Sequence, residues 1–208
     1  MKLSFNWLQE LVDLKGLTAE EVGKNITLHT AELEEIMKGN EDTLFDIDNK
    51  SLTHRPDLWG HQGFARELGA IFGRKLKLPT PKVKFPSKGA VQKVEIQTDK
   101  CRRFCAVKMN GIQIKPSELG TQRLLGNLET RAISNLVDVT NLVLFGRGQP
   151  MHVFDADKIE GSIIVRQARQ GEKLVALDEI EYELSPEDIV IADEKKVLSI
   201  AGIRSSGS

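Results

Sequence analysis

Residues 131–155, RAISNLVDVTNLVLFGRGQPMHVFD, are the most informative segment of the chain for its fold and its candidate site. Its apolar positions predict a helix over residues 136–145, since they recur at helical spacing. Asn135 is expected to be the N-cap, with Asp138 reaching back in a capping-box arrangement. Gly146 is expected in the left-handed conformation that commonly ends a helix.

Polar side chains flank and interrupt this helix. Arg131 precedes it, Thr140 and Asn141 lie within it, and His152 follows the turn imposed by GRGQP. Because neither Thr140 nor Asn141 favours a helix interior, one of them is expected to face a polar group. The spacing predicts that these residues converge on one pocket. In the alternative interpretation, Asn141 only bonds backbone in the turn and His152 is a satisfied core histidine.

Composition indicates a globular protein of one or two domains. The chain has 208 residues, of which 40% are hydrophobic and 28% charged. Neither an apolar run long enough to span a membrane nor the apolar core of a secretory signal is present in the sequence. We therefore expect a cytoplasmic protein that is not bound to a membrane.

Candidate metal ligands and nucleotide motifs are sparse. Cys101 and Cys105 have no second pair to complete a zinc site and are expected to be reduced and partly buried in a strand. His54 and His61 have no third imidazole nearby, which favours a role at a loop and a helix start, and no metal site is predicted. Trp59 is interpreted as a core anchor rather than a base-stacking platform. No phosphate-binding glycine motif is present, so no ATP site is expected within this chain.

Charge is distributed unevenly along the chain. The formal net charge is −1, yet the segment from Lys82 to Arg131 holds eleven Lys and Arg against four Asp and Glu. Phosphate neutralisation supplies most non-specific affinity for nucleic acid, so a basic segment beside a polar pocket suits an RNA contact. A solvated basic face is the alternative.

Periodicity in the N-terminal part predicts mainly helices. Helices are expected over residues 6–12 and after Thr18, where Glu21 completes a capping box. A third helix carries an apolar stripe over residues 64–72, opens at Pro56 or Asp57 and closes at Gly73. Two further segments have a strand-like pattern, residues 31–37 and 43–47.

The proline-rich segment LPTPKVKFPSKG, residues 78–89, predicts a boundary. The domains are expected to span residues 1–80 and 91–208, with a linker over 81–90. The fold class is α+β: a small helical or mixed N-terminal domain followed by a mixed α/β domain. Its predicted strands are 91–97, 104–114, 163–167, 173–177, 189–192 and 197–200, and its predicted helices are 118–128 and 136–145.

The last apolar strand, VLSIAGI, runs into RSSGS with no later element expected to pair with its edge. This pattern predicts that the chain is a fragment and that the second domain is incomplete at its C-terminus.

Three segments carry a family resemblance: DNKSLTHRPDLWGHQGFARELGAIFG (48–73), ISNLVDVTNLVLFGRGQPMHVFDADKI (133–159) and GEKLVALDEIEYELSPEDIVIAD (171–193). Together they resemble the β subunit of phenylalanyl-tRNA synthetase, with VDVTN and GQPMHVFD the most specific parts. The resemblance implies an N-terminal B1 domain followed by a B3/B4 editing domain. The OB-fold usually inserted in the N-terminal part is absent from this chain.

In that family the β subunit hydrolyses tyrosine wrongly attached to tRNA(Phe). The resemblance implies that Arg131 and His152 hold the terminal adenosine or the ester, as catalytic residues. Thr140, Asn141 and Gly202 would line the aminoacyl pocket. It also implies tRNA(Phe) and the synthetase α subunit, in a heterotetramer, as partners. ATP and Mg²⁺ would serve the whole synthetase, and no cofactor is expected within this chain.

The chemistry of such a site makes modest demands on side chains. An aminoacyl ester is already activated, so a pocket must position water and stabilise developing negative charge. Polar groups that require the phenolic hydroxyl would reject phenylalanine by roughly 10⁴ to 10⁵. A non-catalytic alternative remains: an RNA-binding or scaffold module that contributes to subunit assembly.

Overall fold

The structure is a computed structural model that describes residues 1–78, 80, 82–83, 92–176, 179–201 and 204–205. Two compact units are present: Met1–Val83 with Gln113–Met151, and Lys84–Ile112 with His152–Ser208. The first change of unit therefore falls inside the predicted linker. Contacts join Gln113–Met151 to the N-terminal residues, a tertiary relation that the position of the linker does not reveal. The division into residues 1–80, 81–90 and 91–208 stays a prediction about the family's domains.

A three-stranded antiparallel sheet forms part of the first unit. Its strand order is β1-β3-β2, with β1 spanning Lys2–Ser4, β2 Leu33–Lys38 and β3 Thr43–Ile47. The register places Leu3 opposite Phe45, and both side chains are fully buried. Strand β1 was not evident from the sequence because three residues are too short for an alternating pattern to be recognised.

Five helices complete the first unit, and apolar stripes on them close its core. Thr18 and Glu21 form the predicted capping box, and Gly73 adopts the predicted left-handed conformation. Phe64 and Leu68 are fully buried, as the predicted stripe requires. The helices are α1 Phe5–Leu11, α2 Ala19–His29, α3 His61–Phe72, α4 Leu119–Asn127 and α5 Asn135–Arg147.

The third helix begins later than predicted. Pro56–Leu58 forms a separate 3-10 turn, and α3 begins at His61 after Gly60. A Cβ on Gly63 would lie 1.7 Å from the carbonyl oxygen of Asp57, so the turn packs directly against the first turn of the helix. A second 3-10 turn, Lys50–Leu52, precedes it. Tertiary packing of the turn therefore overrides the helix-opening signal at Pro56.

A five-stranded sheet forms the centre of the second unit. Its order is β10-β9-β8-β5-β4, where β4 pairs with β5 in parallel and the other neighbours are antiparallel. A separate hairpin contains β6 and β7, of which β7 was not predicted. The strands are β4 Val94–Ile96, β5 Ile163–Gln167, β6 Lys173–Val175, β7 Glu181–Glu183, β8 Ile189–Ala192, β9 Val197–Ile200 and β10 Arg204–Ser205.

Strands β5, β8 and β9 have the predicted bounds, and side chains of β8 and β9 contribute to the hydrophobic core of this unit. Val190 and Ala192 are fully buried there. The expectation that no later element pairs with the edge of β9 is wrong, because β10 is its antiparallel neighbour. Together the helices and sheets of the two units confirm the predicted α+β class.

The strand predicted over residues 104–114 is absent from the described part of the chain. An apolar alternation supplies side chains for one face, but a strand also needs a neighbour for its backbone groups. Here Val107 and Met109 remain 67% and 68% exposed. The cysteines of this region are both free, but Cys105 is exposed instead of partly buried and only Cys101 is intermediate.

Within the described ranges, every helix is too short or too polar to cross a lipid bilayer.

Candidate functional site

Helix α5 begins one residue earlier than predicted. Ser134 is its N-cap, and its hydroxyl accepts a hydrogen bond from the Val137 amide at 3.4 Å. Asn135 is the first helical residue and instead holds the preceding extended segment. Its amide nitrogen donates to Gln113 O at 3.0 Å, and its Oδ1 accepts from the Lys115 amide at 3.1 Å. The predicted capping role of Asn135 is wrong because a pairing distant in sequence engages its side chain.

Asp138 is fully buried and joins three segments. Its Oδ1 accepts from the Ile133 amide at 2.9 Å, and its Oδ2 accepts from the Ser117 hydroxyl at 2.6 Å. Burial acts to raise the pKa of Asp138, but these donors and the Ser134 amide hold that pKa below its usual value. The carboxylate therefore secures the chain before α5 and does not form the predicted capping box.

Thr140 and Asn141 are both half-buried, but they differ in which hydrogen-bond donors and acceptors remain free for a ligand. The Thr140 hydroxyl donates to the Val137 carbonyl at 2.6 Å, so it retains only the capacity to accept. Among the described residues, no group hydrogen-bonds to the side-chain amide of Asn141. Asn141 therefore keeps both its donors and its acceptor for a ligand.

Arg131 is exposed, and its guanidinium takes part in none of the ion pairs between described residues. The same is true of Lys115 and Arg123 in the first unit, and of Arg102, Arg103 and Lys108 in the second. Lys93 is different because it pairs with Glu95. The predicted basic segment thus contains exposed cations without intramolecular partners in the described structure.

The C-terminal end of α5 packs closely against the start of α3. Gly148, not Gly146, has the left-handed conformation, with φ 70°. A Cβ on Gly60 would lie 2.6 Å from the Gly148 nitrogen, so both positions require glycine. Gly146 is buried, and a Cβ there would lie 3.4 Å from the Trp7 ring. The prediction for Gly146 is wrong because the helix continues to Arg147.

His152 belongs to the second unit, whereas Arg131, Thr140 and Asn141 belong to the first. The imidazole is half-buried and stacks on Phe154, with ring centroids 5.9 Å apart. Burial lowers the pKa of His152 and so favours the neutral ring at neutral pH. Convergence of His152 with the other predicted residues stays a prediction, and Gly202 lies outside the described residues.

The HRPDLWGHQG segment has structural roles. Arg55 forms a bidentate ion pair with Asp57: Nε donates to Oδ1 and Nη2 to Oδ2, each at 2.9 Å. This pair lowers the pKa of Asp57. Trp59 is 40% exposed and donates from Nε1 to Leu52 O, so the prediction of a core anchor is wrong. His54 is exposed, and no group of three potential metal ligands occurs among the described residues.

A buried ion pair stabilises the second unit. Arg166 donates to Glu172 through Nη1 at 2.8 Å and Nη2 at 2.7 Å, a two-pronged geometry that favours strong pairing. This pair lowers the pKa of Glu172. In the turn between β8 and β9, Asp193 accepts from the amides of Lys195 and Lys196, each at 2.8 Å.

The residues missed from the sequence are those that support α5. Ser117 and His61 each contact this helix from elsewhere in the chain. A sequence signal existed for Asp138, since a carboxylate within the apolar run LVDVTNLVL needs a partner when the run is buried. No local pattern in the sequence identifies Ser117 as the partner of Asp138 or His61 as the partner of the Phe145 carbonyl.

Comparison with known proteins identifies a family and several relatives for this chain. The B3/4 domain family matches residues 100–208, more than half of the chain. Phenylalanine–tRNA ligase beta subunits are similar over most of it. The one from Solibacter usitatus is 42% identical over 164 residues, 78% of this chain and 21% of that protein. The one from Fusobacterium nucleatum is 34% identical over 195 residues, 90% of this chain and 24% of that protein.

These relatives confirm the resemblance predicted from the VDVTN and GQPMHVFD segments. The chain spans about a fifth of the length of the curated relatives that it matches. A solved structure has a similar fold: an N-terminal fragment of the phenylalanyl-tRNA synthetase beta subunit from Pyrococcus horikoshii. Its TM-score is 0.50 and its identity 19%, and the match covers 99% of this chain and 62% of that one.

Proposed function

This chain belongs to the B3/4 domain family, and from that premise we propose that it is the editing portion of a phenylalanine–tRNA ligase beta subunit. Its substrate is tRNA(Phe) that carries tyrosine, and its reaction is hydrolysis of the aminoacyl ester. The observation that carries the proposal is the state of Asn141. Its half-buried side-chain amide has no hydrogen-bond partner among the described residues. The buried carboxylate of the same helix, Asp138, already accepts hydrogen bonds from Ser117 and Ile133.

The hydrogen-bonding state of α5 suits a phenolic hydroxyl. That hydroxyl can donate one hydrogen bond and accept another. Thr140 offers an acceptor, because its own proton is committed to Val137. Asn141 offers both a donor and an acceptor. Phenylalanine would leave such groups without a partner, which is the physical basis of strong discrimination between the two side chains.

Hydrolysis needs a bound ester, a positioned water molecule and donors for the developing oxyanion. The guanidinium of Arg131 can hold phosphate, ribose or the ester region. His152, kept neutral by burial, can accept a proton from water or orient the terminal adenosine. In this proposal Arg131 and His152 are the catalytic residues, Thr140 and Asn141 recognise the side chain, and Gly202 lines the pocket.

The wider setting is also part of the proposal. The partners are tRNA(Phe) and the α subunit of the ligase, the process is translation, and the location is the cytoplasm. ATP and Mg²⁺ would serve aminoacylation by the whole enzyme. The described residues contain no cluster of three metal-binding side chains, so no residue of this chain is assigned to them.

A second candidate function rests on the exposed cations. Arg102, Arg103, Lys115 and Arg123 have no ion-pair partner among the described residues and can neutralise phosphates. In that case the chain binds tRNA, or supports subunit assembly, without hydrolysing the ester.

One assay separates the two functions. The 208-residue chain is incubated with tRNA(Phe) that carries radiolabelled tyrosine or phenylalanine, and release of each amino acid is followed together with tRNA binding. Faster release of tyrosine supports editing. Binding without release supports the non-catalytic module, and absence of both contradicts the two proposals. A chain with Asn141→Ala and His152→Ala is the matched control for contaminating hydrolases.

A further inference from the structure

His61 is a fully buried histidine with both ring nitrogens engaged. Nε2 accepts a hydrogen bond from the Ser4 amide at 2.8 Å, and Nδ1 lies 2.7 Å from the carbonyl oxygen of Phe145. Because a backbone amide can only donate and a carbonyl can only accept, the ring must be neutral and carry its proton on Nδ1. The Trp7 ring packs against it, with centroids 4.1 Å apart. One orientation and one tautomer of the imidazole satisfy this environment.

The Phe145 carbonyl lies in the last turn of α5, where helix carbonyls lack partners within the helix. The Gly148 amide donates to the Leu144 carbonyl and not to that of Phe145. His61 therefore supplies the hydrogen-bond donor for the Phe145 carbonyl. The two helix ends also approach closely, since Gly60 and Gly148 leave no space for a Cβ. The start of α3 thus meets the end of α5, an arrangement that their opposite helix dipoles favour.

On its other side, His61 holds the junction between β1 and α1. Ser4 is the N-cap of α1, and its hydroxyl donates to Asp42 at 2.6 Å. The Asn6 amide donates to the same carboxylate at 3.1 Å. The imidazole therefore connects a hydrogen-bonded N-terminal junction to the helix that carries Thr140 and Asn141.

We propose that His61 is a positioning residue for the editing site, which sets the placement of Thr140 and Asn141 by capping α5 through Phe145. The inference rests on the proposed function for its catalytic consequence, but the positioning itself does not. His61 has no contact with substrate in this scheme. Its effect passes through the backbone of α5, whose hydrogen bonds transmit a displacement of the last turn to Asn141 and Thr140, four and five residues before Phe145.

Two substitutions separate the two hydrogen bonds. In His61→Asn the amide takes the place of Nδ1 and retains the bond to Phe145. In His61→Gln the amide takes the place of Nε2 and retains the bond from Ser4. Hydrogen exchange, followed by mass spectrometry, is expected to accelerate about tenfold in α5 for His61→Gln and to stay near the parental rate there for His61→Asn. The reverse is expected around Ser4. Exposed His54→Gln is the matched control and should change neither region.

Equal acceleration of both regions in the two variants would show that the ring acts only by filling space and would overturn the proposal. Unchanged exchange in α5 for His61→Gln would overturn it as well. In the deacylation assay, His61→Gln is expected to lower kcat about tenfold with KM within about twofold, and His61→Asn to restore kcat. If the parent chain releases no tyrosine, the proposed function fails while the exchange experiment still decides the positioning role.

Discussion

The hydroxyl of Ser117 donates a hydrogen bond of 2.6 Å to the buried carboxylate of Asp138. This bond connects the segment just before α4 to the fourth residue of α5. The same carboxylate accepts from the Ile133 amide. Both donors lie outside α5, so Asp138 holds the approach to the helix, including the segment just after Arg131. The negative charge is compensated by three hydrogen-bond donors, with no cation among them.

Replacing Asp138 should therefore be costly. Asp138→Ala leaves the Ile133 amide and the Ser117 hydroxyl without this acceptor, and we expect a loss of about 2 to 3 kcal/mol in the free energy of unfolding. Asp138→Asn, which retains one acceptor oxygen, should lose about half as much. Urea denaturation measures both, with exposed Glu10→Ala as the control. A loss for Asp138→Ala no larger than that of the control would show that the carboxylate does not secure these segments.

Two glycine substitutions should have opposite effects on stability. Gly60→Ala places a Cβ 2.6 Å from the Gly148 nitrogen, so the helix ends must separate, at a cost of about 1 to 3 kcal/mol. Gly126→Ala, in α4, meets no atom within 4 Å and should stabilise the chain by about 0.5 to 1 kcal/mol. Thermal unfolding of the two variants tests the packing of α3 against α5. A stabilising Gly60→Ala is incompatible with that packing.

His61 should make stability depend on pH between about 4 and 6.5. Burial lowers the pKa of His61 from 6.5 to about 4. Between these values the unfolded chain binds a proton at His61 that the folded chain does not. The contribution of His61 to the free energy of unfolding is therefore fully present above pH 6.5 and decreases as the pH falls. The expected loss between pH 7 and pH 5 is about 2 kcal/mol. Urea denaturation at several pH values measures it.

The variant His61→Gln isolates this contribution. The pKa of His152 is also lowered, so His152 likewise decreases stability as the pH falls. Asp138 and Glu172 are carboxylates whose pKa is lowered, so their contributions change at lower pH. All three remain in the variant. The difference in slope between parent and variant therefore belongs to His61, and parallel curves would contradict the assignment.

Asn141 should determine discrimination between the two aminoacyl groups. Asn141→Ala removes a hydrogen bond to the phenolic hydroxyl, so kcat/KM for tyrosine release should fall about 10- to 100-fold, while slow release of phenylalanine stays unchanged. Exposed Asn110→Ala serves as the control. An equal decrease for tyrosine and phenylalanine would place Asn141 outside the side-chain pocket.

His152→Ala should weaken tyrosine release at least tenfold without reducing the affinity for tRNA as a whole, since one imidazole contributes little to binding through phosphates. Deacylation rates and tRNA binding are measured on the same preparation. Unchanged deacylation would remove the histidine from the site.

Some signals that depend on near neighbours in the chain predict the structure correctly, but those around α5 do not: Asn135 is not the N-cap, Asp138 forms no capping box, and Gly146 is not the left-handed residue. The Thr18–Glu21 capping box and the left-handed Gly73 join residues within one helical turn, so their physics is contained in a few letters. The bounds of β8 and β9 follow from apolar runs separated by a polar turn. The VDVTN and GQPMHVFD segments likewise indicate the family from a few consecutive residues each.

The α+β class, the start of α2, the end of α3 and the residue types that a polar pocket on α5 would need all follow from the sequence alone. Only the tertiary structure decided which partners those residues have: Asp138 bonds to Ser117, Phe145 is capped by His61, and residues 104–114 lack a neighbouring strand. The reason is physical. The Thr18–Glu21 cap is satisfied within one helical turn, whereas the end of α5, a buried polar group or an extended backbone is satisfied by whichever distant segment the fold brings within hydrogen-bonding distance.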